Sequence, residues 1–209
     1  ELLRAALSKT VNSIAAAGAL NSLAQTLLRM TVPGVPDLYQ GNEFWDFSLV
    51  DPDNRRPVDY AARAQALDGH APLPELLANW RDGRIKQALI AEVLNLRAEH
   101  AELFRRGTYQ ALEVLGEQAH NVLAFAREHE GRYAIVIVPI RCATLLENSA
   151  VPQVDALRWG DTRVVLPFAA SDTNLKGLFH SSAVTKNREL NVSAALGDFP
   201  VNLFTQLFT

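Results

Sequence analysis

The fold class is decided by the stretch Tyr133-Ala134-Ile135-Val136-Ile137-Val138, a continuous apolar run rich in β-branched residues. Such a run predicts a central strand that is buried on both faces. The segment 121–128 precedes it, and His129-Glu130-Gly131 links the two, which indicates a β-hairpin. Patterns of period two begin only after Gly107, so we expect residues 108–209 to form an antiparallel β-sandwich.

Further strands are predicted on both sides of this hairpin. The candidate strands are residues 109–115, 121–128, 132–138, 163–168, 175–180, 189–195 and 201–208. Several short strands separated by turn residues are typical of a sandwich. The aromatic residues of this half stand mostly at alternating positions, which suits a core better than an exposed row on one sheet.

The first half of the chain has helical patterns instead. Apolar residues repeat at helical spacing from Leu3 to Ile14, and we expect Gly18 to interrupt this helix. A second helix is predicted from Ser22, because Ser22 and Gln25 have the spacing of a capping box. The segment 32–36 contains two prolines and ends that helix, since proline lacks the amide hydrogen that a helix needs.

The rest of the first half alternates between loops and helices. Residues 37–41 are predicted as a strand followed by a turn, and residues 42–60 as a long polar loop. One or two short helices are expected within 61–81. The clearest helix is 84–104, which Asp82 can cap and which Gly107 stops.

Composition excludes several classes of protein. The chain has 209 residues, of which 48% are hydrophobic and 21% charged, so it can bury a core without a metal or disulfide. The net charge of −3, without clustered Lys or Arg, argues against nucleic-acid binding. No stretch of about 18 apolar residues is present, so no membrane span is expected. The single cysteine, Cys142, fits a reducing cytoplasm and is predicted to be an inert buried thiol.

The polar loop 42–60 and the residues before it form the densest group of chemically useful side chains. The polar members are Glu43, Asp46, Asp51, Asp53, Arg55, Arg56 and Asp59, and the aromatic members are Tyr39, Phe44, Trp45 and Phe47. Carboxylates and arginines bind sugar hydroxyls and an indole stacks on a pyranose, so one interpretation is a carbohydrate-binding rim. The other is a solvated loop held together by Arg–Asp pairs, with the aromatic residues as anchors.

Metal and cofactor sites are not expected. The spacing Asp51-x-Asp53-x-Arg55 places a cation where a calcium loop needs an oxygen ligand. The five histidines are scattered, without a partner at metal-ligand spacing. The chain also contains no nucleophile elbow, phosphate-binding loop or dinucleotide fingerprint.

Four segments carry a resemblance to a known family. The stretch 33–43 resembles the eighth barrel strand of the α-amylase superfamily, which reads Pro-Gly-x-Pro, apolar or aromatic residues, then Gly-x-Glu. The stretches 21–28 and 45–60 narrow the resemblance from the superfamily to the maltooligosyltrehalose synthases. The helix 84–104, continuing through Arg105-Arg106-Gly107, resembles the last barrel helix and the junction to the C-terminal β domain.

The resemblance implies a (β/α)₈ barrel followed by a β-sandwich. A complete barrel needs about 250 residues. The chain also starts at Glu1 without an initiator methionine, so we expect a C-terminal part of the enzyme. Residues 1–107 would be the end of the barrel and 108–209 the sandwich, with the upstream barrel portion as partner. The family's catalytic carboxylates end strands four, five and seven, so no catalytic residue is assigned to this chain.

The resemblance also implies a function and a set of substrate-binding residues. The segment 51–57 resembles the superfamily's Asp-Pro-x-x-Arg-x-Pro, in which Arg55 would lie near the sugar subsites. The predicted substrate-binding residues are Tyr39, Gln40, Glu43, Trp45, Asp51, Arg55 and Arg56. The family converts the reducing-end α-1,4 bond of maltooligosaccharides to an α,α-1,1 bond. For this chain we expect a cytoplasmic location and no cofactor. The alternatives are a carbohydrate-binding or assembly module built on the β-sandwich, and a fragment of another amylase-type hydrolase.

Overall fold

The computed structural model describes residues 1–48, 55–147, 149–168 and 174–207. The helices are α1 Leu2–Thr31, α2 Tyr60–Asp68, α3 Leu73–Ala78, α4 Arg84–Glu99, α5 Ala101–Arg106 and α6 Val192–Ala195. The strands are β1 Thr108–Ala111, β2 Val114–Leu115, β3 Val122–His129, β4 Arg132–Pro139, β5 Arg163–Val165, β6 Asn174–Lys176, β7 Ser182–Val184, β8 Glu189–Asn191 and β9 Asn202–Leu207. The chain therefore combines helices with antiparallel sheets, as the sequence predicts.

The two antiparallel sheets differ in size. The larger has the strand order β1-β3-β4-β9-β6-β7 and the smaller the order β2-β5-β8. The predicted hairpin is present, since β3 and β4 pair along their whole length with Phe125 opposite Val136. Residues 134–138 are completely buried, because a strand lies on each side of them and packed side chains cover both faces of the large sheet. The prediction of a central strand buried on both faces is confirmed.

The large sheet separates two hydrophobic cores. Phe125, Val136 and Leu203 pack into one core with α1, α4 and α5. Their neighbours Ile135 and Phe204 point to the opposite face and pack with residues of the small sheet. This alternation follows from the two-residue period of a strand, which sends successive side chains to opposite faces.

The predicted break in the first helix is wrong. Helix α1 is a single helix of 30 residues that passes through Gly18. A Cβ atom at Gly18 would meet nothing within 4 Å, so no backbone there needs the glycine. Burial continues on one side of the helix from Ala16 to Met30. This packing outweighs the cost of about 1 kcal/mol that a glycine imposes on a helix interior.

Several predicted boundaries also differ. The helix predicted over 84–104 is two helices, because the backbone leaves the helical conformation at His100 and α5 redirects Leu103 and Phe104 into the core. Residues 37–41 form no strand, since no described strand lies beside them to complete a hydrogen-bonded ladder.

The short strands were the least predictable elements. The segment 109–115 divides into β1 and β2, which join different sheets, and 189–195 ends in helix α6. Residues 178–180 form a 3₁₀ turn instead of continuing β6, and 163–168 contains only a three-residue strand. Strand β7 was not predicted. Its central residue, Ala183, is buried between two exposed residues, which is a weak period-two signal.

Arg127 joins the helices to the large sheet. Its side chain is 1% exposed, and its guanidinium donates hydrogen bonds to the carbonyls of Thr31, Phe104, Gly107 and Thr108 at 2.8–3.1 Å. Burial, followed by the nearby charge of Arg97, lowers the pKa of this arginine. One strand residue thereby fixes the carboxyl ends of α1 and α5 and the start of β1.

Candidate functional site

The polar loop begins directly against the turn that precedes α4. Gly83 in this turn has φ +86°, a conformation that side-chain-bearing residues rarely adopt. A Cβ atom at this position would lie 2.8 Å from the Trp45 backbone nitrogen and 2.9 Å from Phe44 Cβ. The glycine is therefore required both for the turn and for the close approach of the loop.

Trp45 is an anchor for the start of this loop. Its indole N–H donates to the Trp80 carbonyl at 2.6 Å, and the two rings meet edge to face with centroids 6.4 Å apart. The Trp80 indole in turn donates to the Ala150 carbonyl at 3.0 Å. The predicted sugar-stacking residue is thus half-buried and tied to the turn before α4.

Glu43 is held by an arginine that the sequence analysis did not single out. Arg63 on α2 forms an ion pair with Glu43 at 2.8 Å and donates to the Gly41 carbonyl at 2.7 Å. The same guanidinium lies over the Phe44 ring, 4.8 Å from its centroid. A basic residue four positions after the helix cap Asp59 was the only sequence signal for this role.

The other predicted residues lie around this anchored segment. Tyr39 is exposed, and Gln40 accepts a hydrogen bond from the Tyr60 hydroxyl at 3.1 Å. Arg55 and Arg56 are exposed, and each has interactions within the chain. Asp51 lies outside the described residues. The structure thus brings Tyr39, Gln40, Glu43 and Trp45 together on one short segment, next to α2 and α4.

Lys86 is a second functional candidate that sequence reasoning missed. It is 7% exposed, and its ammonium donates to the Phe44 carbonyl at 3.2 Å and lies 6.0 Å from the centroid of the Trp45 ring. Burial and then the positive charge of Arg29 lower its pKa, while Asp46 and Glu43 oppose that shift. In the sequence, nothing distinguishes Lys86 from an ordinary solvent-facing lysine in the first turn of a helix.

Two pockets meet at Lys86. A polar pocket of about 380 Å³ is lined by Ser22, Gln25, Thr26, Arg29, Asn42, Asp46 and Lys86. A largely apolar groove of about 460 Å³ runs along the middle of α1, from Val11 and Ile14 to Trp45 and Phe47. The Asp46 carboxylate is hydrogen-bonded by Ser48, which lowers the pKa of Asp46.

Metal binding and thiol chemistry find no support in the described part of the chain. Within residues 1–48, 55–147, 149–168 and 174–207, no three potential ligands lie close enough to hold a metal ion. Cys142 is buried, as predicted, and burial raises the pKa of its thiol to about 12, which favours the unreactive protonated form. No helix in these ranges is both long and apolar enough to cross a membrane.

Known proteins similar to this chain were found by sequence and by structure. No model of a known protein family matches it. A protein of Mycobacterium tuberculosis named as a maltooligosyl trehalose synthase is 36% identical over 89% of this chain, which spans 20% of that relative. The structure of maltooligosyltrehalose synthase from Arthrobacter ramosus is 32% identical, with a TM-score of 0.73, over 99% of this chain and 25% of the other.

A more distant likeness concerns the fold alone. A maltogenic α-amylase from Thermotoga neapolitana superposes with a TM-score of 0.53 at 12% identity, over 90% of this chain and 36% of the amylase. The sequence and structural matches together identify the same group of enzymes that the resemblance indicated. The chain therefore belongs to the maltooligosyltrehalose synthase family, and it spans about a fifth to a quarter of the length of the relatives it matches.

Proposed function

We propose that this chain is the carboxyl-terminal part of an intramolecular transglucosidase. Residues 1–107 would complete a (β/α)₈ barrel, and residues 108–209 would be its C-terminal β-sandwich. The enzyme would convert the reducing-end α-1,4 bond of a maltooligosaccharide to an α,α-1,1 bond. The observation that carries this proposal is the match to maltooligosyltrehalose synthases over 89% and 99% of the chain.

The chemistry of the reaction assigns this chain a supporting role. Cleavage follows the retaining pattern, in which a carboxylate takes the glycosyl group and a second carboxyl group protonates the leaving oxygen. The released glucose then attacks the glycosyl-enzyme through its anomeric hydroxyl, in place of water. We place both carboxyl groups on the barrel portion outside this chain. The chain's own residues would hold the glucose and exclude water.

The segment from Tyr39 to Phe47 is suited to that role. Loops at the carboxyl ends of barrel strands build the active site of this fold. Tyr39 is exposed and available for sugar contact. Glu43 and Trp45 are fixed by Arg63 and Trp80, which keeps the segment rigid. Asp51, Arg55 and Arg56 complete the proposed substrate-binding set.

The barrel portion is the proposed partner. The amino-terminal half of α1 exposes large apolar side chains that a folded protein ordinarily covers. They are Leu2, Leu3, Leu7, Val11 and Ile14. A barrel packs such helices against its strands, so the missing strands would cover this side of α1.

The alternative of a glycan platform on the β half is not supported by the aromatic residues. Phe125, Trp159, Phe199 and Phe204 are buried, and the exposed Tyr109 stacks on Phe125 at 4.9 Å between centroids. The described strands therefore offer no exposed aromatic row of the kind that binds glycans.

The proposal is tested by incubating the longer polypeptide and the 209-residue chain separately with maltopentaose. We expect the longer polypeptide to form a non-reducing maltooligosyl trehalose, seen as lost reducing ends and an α,α-1,1 signal by NMR. The chain alone should show no turnover. Release of glucose or maltose by the longer polypeptide, as the main product, would instead assign a hydrolase.

A further inference from the structure

Lys86 carries a buried charge that the described chain does not neutralise. Its ammonium has three protons to donate, and the described structure assigns one hydrogen bond, to the Phe44 carbonyl. No carboxylate oxygen of the described residues lies within 4.0 Å of its nitrogen. Because desolvating an ammonium is costly, buried charges in proteins are normally paired.

The neighbouring charges do not supply that pair. Arg29 on α1 lines the same pocket and adds a second cation. Glu43 is engaged by Arg63 at 2.8 Å, and an Asp46 oxygen accepts from the Ser48 amide at 2.8 Å. Arg81, on the apolar side, stacks on the Trp80 ring. The charges facing Lys86 therefore include two further cations, while both nearby carboxylates have other partners.

The space beside Lys86 fits another protein segment. The polar pocket and the apolar groove share Ser22, Asp46 and Lys86, so they form one continuous surface along α1. The groove continues to Val11 and Ile14, which belong to the uncovered side of the helix. A segment that covers this surface would be apolar along α1 and would need an acidic group at Lys86 for charge complementarity.

We propose that Lys86 is the docking point for a carboxylate side chain on the preceding barrel portion of the longer polypeptide. That portion is the occupant because the relatives are four to five times longer than this chain and because the surface pairs apolar side chains with cations that no carboxylate of the described residues contacts. The inference rests on the proposed function for the identity of the occupant, but its test does not depend on catalysis.

The test measures the ionisation of Lys86 in the longer polypeptide. Its lysines are reductively methylated with a ¹³C label, and the Lys86 signal is assigned by its loss in Lys86→Arg. The exposed Lys176 in the same sample is the internal reference. We expect a contacting carboxylate to raise the pKa of Lys86 by roughly one unit or more, against the lowering that burial and Arg29 cause.

Two sets of variants identify the partner. Asp and Glu residues of the barrel portion are changed singly to Asn and Gln, and one of these changes should lower the Lys86 pKa by about one unit. Asp46→Asn and Glu43→Gln test the two nearby carboxylates of this chain, and each should lower the Lys86 pKa by less than the change at the docking carboxylate does. Lys176→Met is the matched lysine control, and it should not alter the titration of Lys86.

The proposal is overturned if no carboxylate change in the barrel portion lowers the pKa of Lys86 in the folded longer polypeptide. It is also overturned if Asp46→Asn or Glu43→Gln lowers that pKa more than any change in the barrel portion, because the partner would then belong to this chain. A longer polypeptide without isomerase activity, in which a barrel carboxylate still raises the Lys86 pKa, would refute the proposed function and leave the docking contact in place.

Discussion

Replacement of Arg127 by methionine should strongly destabilise the chain. The change removes donors to four backbone carbonyls, of which Thr31 and Phe104 are reached through fully buried hydrogen bonds. A buried polar group left without its partner costs about 1–3 kcal/mol, so these two carbonyls alone account for about 2–6 kcal/mol. Removing a buried cation recovers part of this loss, because its desolvation is no longer required. We expect a net loss of about 3–5 kcal/mol.

The measurement is urea unfolding of the folded protein, followed by far-ultraviolet circular dichroism. Arg127→Lys keeps the charge, but an ammonium cannot reach four carbonyls spread over two helices and a strand, so it should rescue less than half of the loss. Arg132→Met, at an exposed position on the adjacent strand, is the matched control and should change stability by no more than about 0.5 kcal/mol. If the free energy of unfolding of Arg127→Met lies within about 1 kcal/mol of the parent value, the proposed role of Arg127 in holding the helices to the sheet is refuted.

Three further predictions concern the site and the cores. Gly83→Ala should lower the free energy of unfolding by about 2–4 kcal/mol, because it combines backbone strain with a clash against the loop. Gly131→Ala, at a similar φ but with open space around it, should lower it by only about 1–2 kcal/mol, and thermal unfolding of both variants separates strain from clash. Arg55→Ala in the longer polypeptide should lower kcat/KM about ten- to a hundredfold with an unchanged Tm, and a lower Tm with normal kinetics would show a structural role instead. Cys142 should react with iodoacetamide only on unfolding, and rapid alkylation of the native protein at pH 8 would contradict this. Because folding raises the pKa of Cys142 from 9.0 to about 12, its contribution to stability is complete below pH 9.0 and is lost as the pH rises towards 12.

Local patterns predicted the elements that depend on neighbouring residues. The hairpin of β3 and β4 follows from the continuous apolar run of β4 and from a turn at Glu130-Gly131, where both residues have positive φ. The end of α1 follows from the two prolines of 32–36. The same patterns failed at Gly18 and at His100, where packing of one helix face against the sheet decided whether the helix continued.

The sequence predicted which segment forms the candidate site, but not which contacts hold its side chains in place. The sequence singled out Glu43 and Trp45 by residue type and by family resemblance. It did not indicate that Glu43 pairs with Arg63, or that Trp45 donates to Trp80, because these partners are 20 and 35 residues away along the chain. Lys86 was missed for the same reason, since its burial comes from a loop 42 residues earlier.

The sequence by itself determined the family, the helical first half and the strand-rich second half. These follow from residue identity and from periodicities of 3.6 and 2, which are local properties of the chain. Only the tertiary structure decided which charged side chains are buried and which of them connect the helices to the sheet. The Arg127 guanidinium reaches the Thr31 carbonyl across 96 residues of sequence, and the need to satisfy that carbonyl exists only after helix and sheet have packed together.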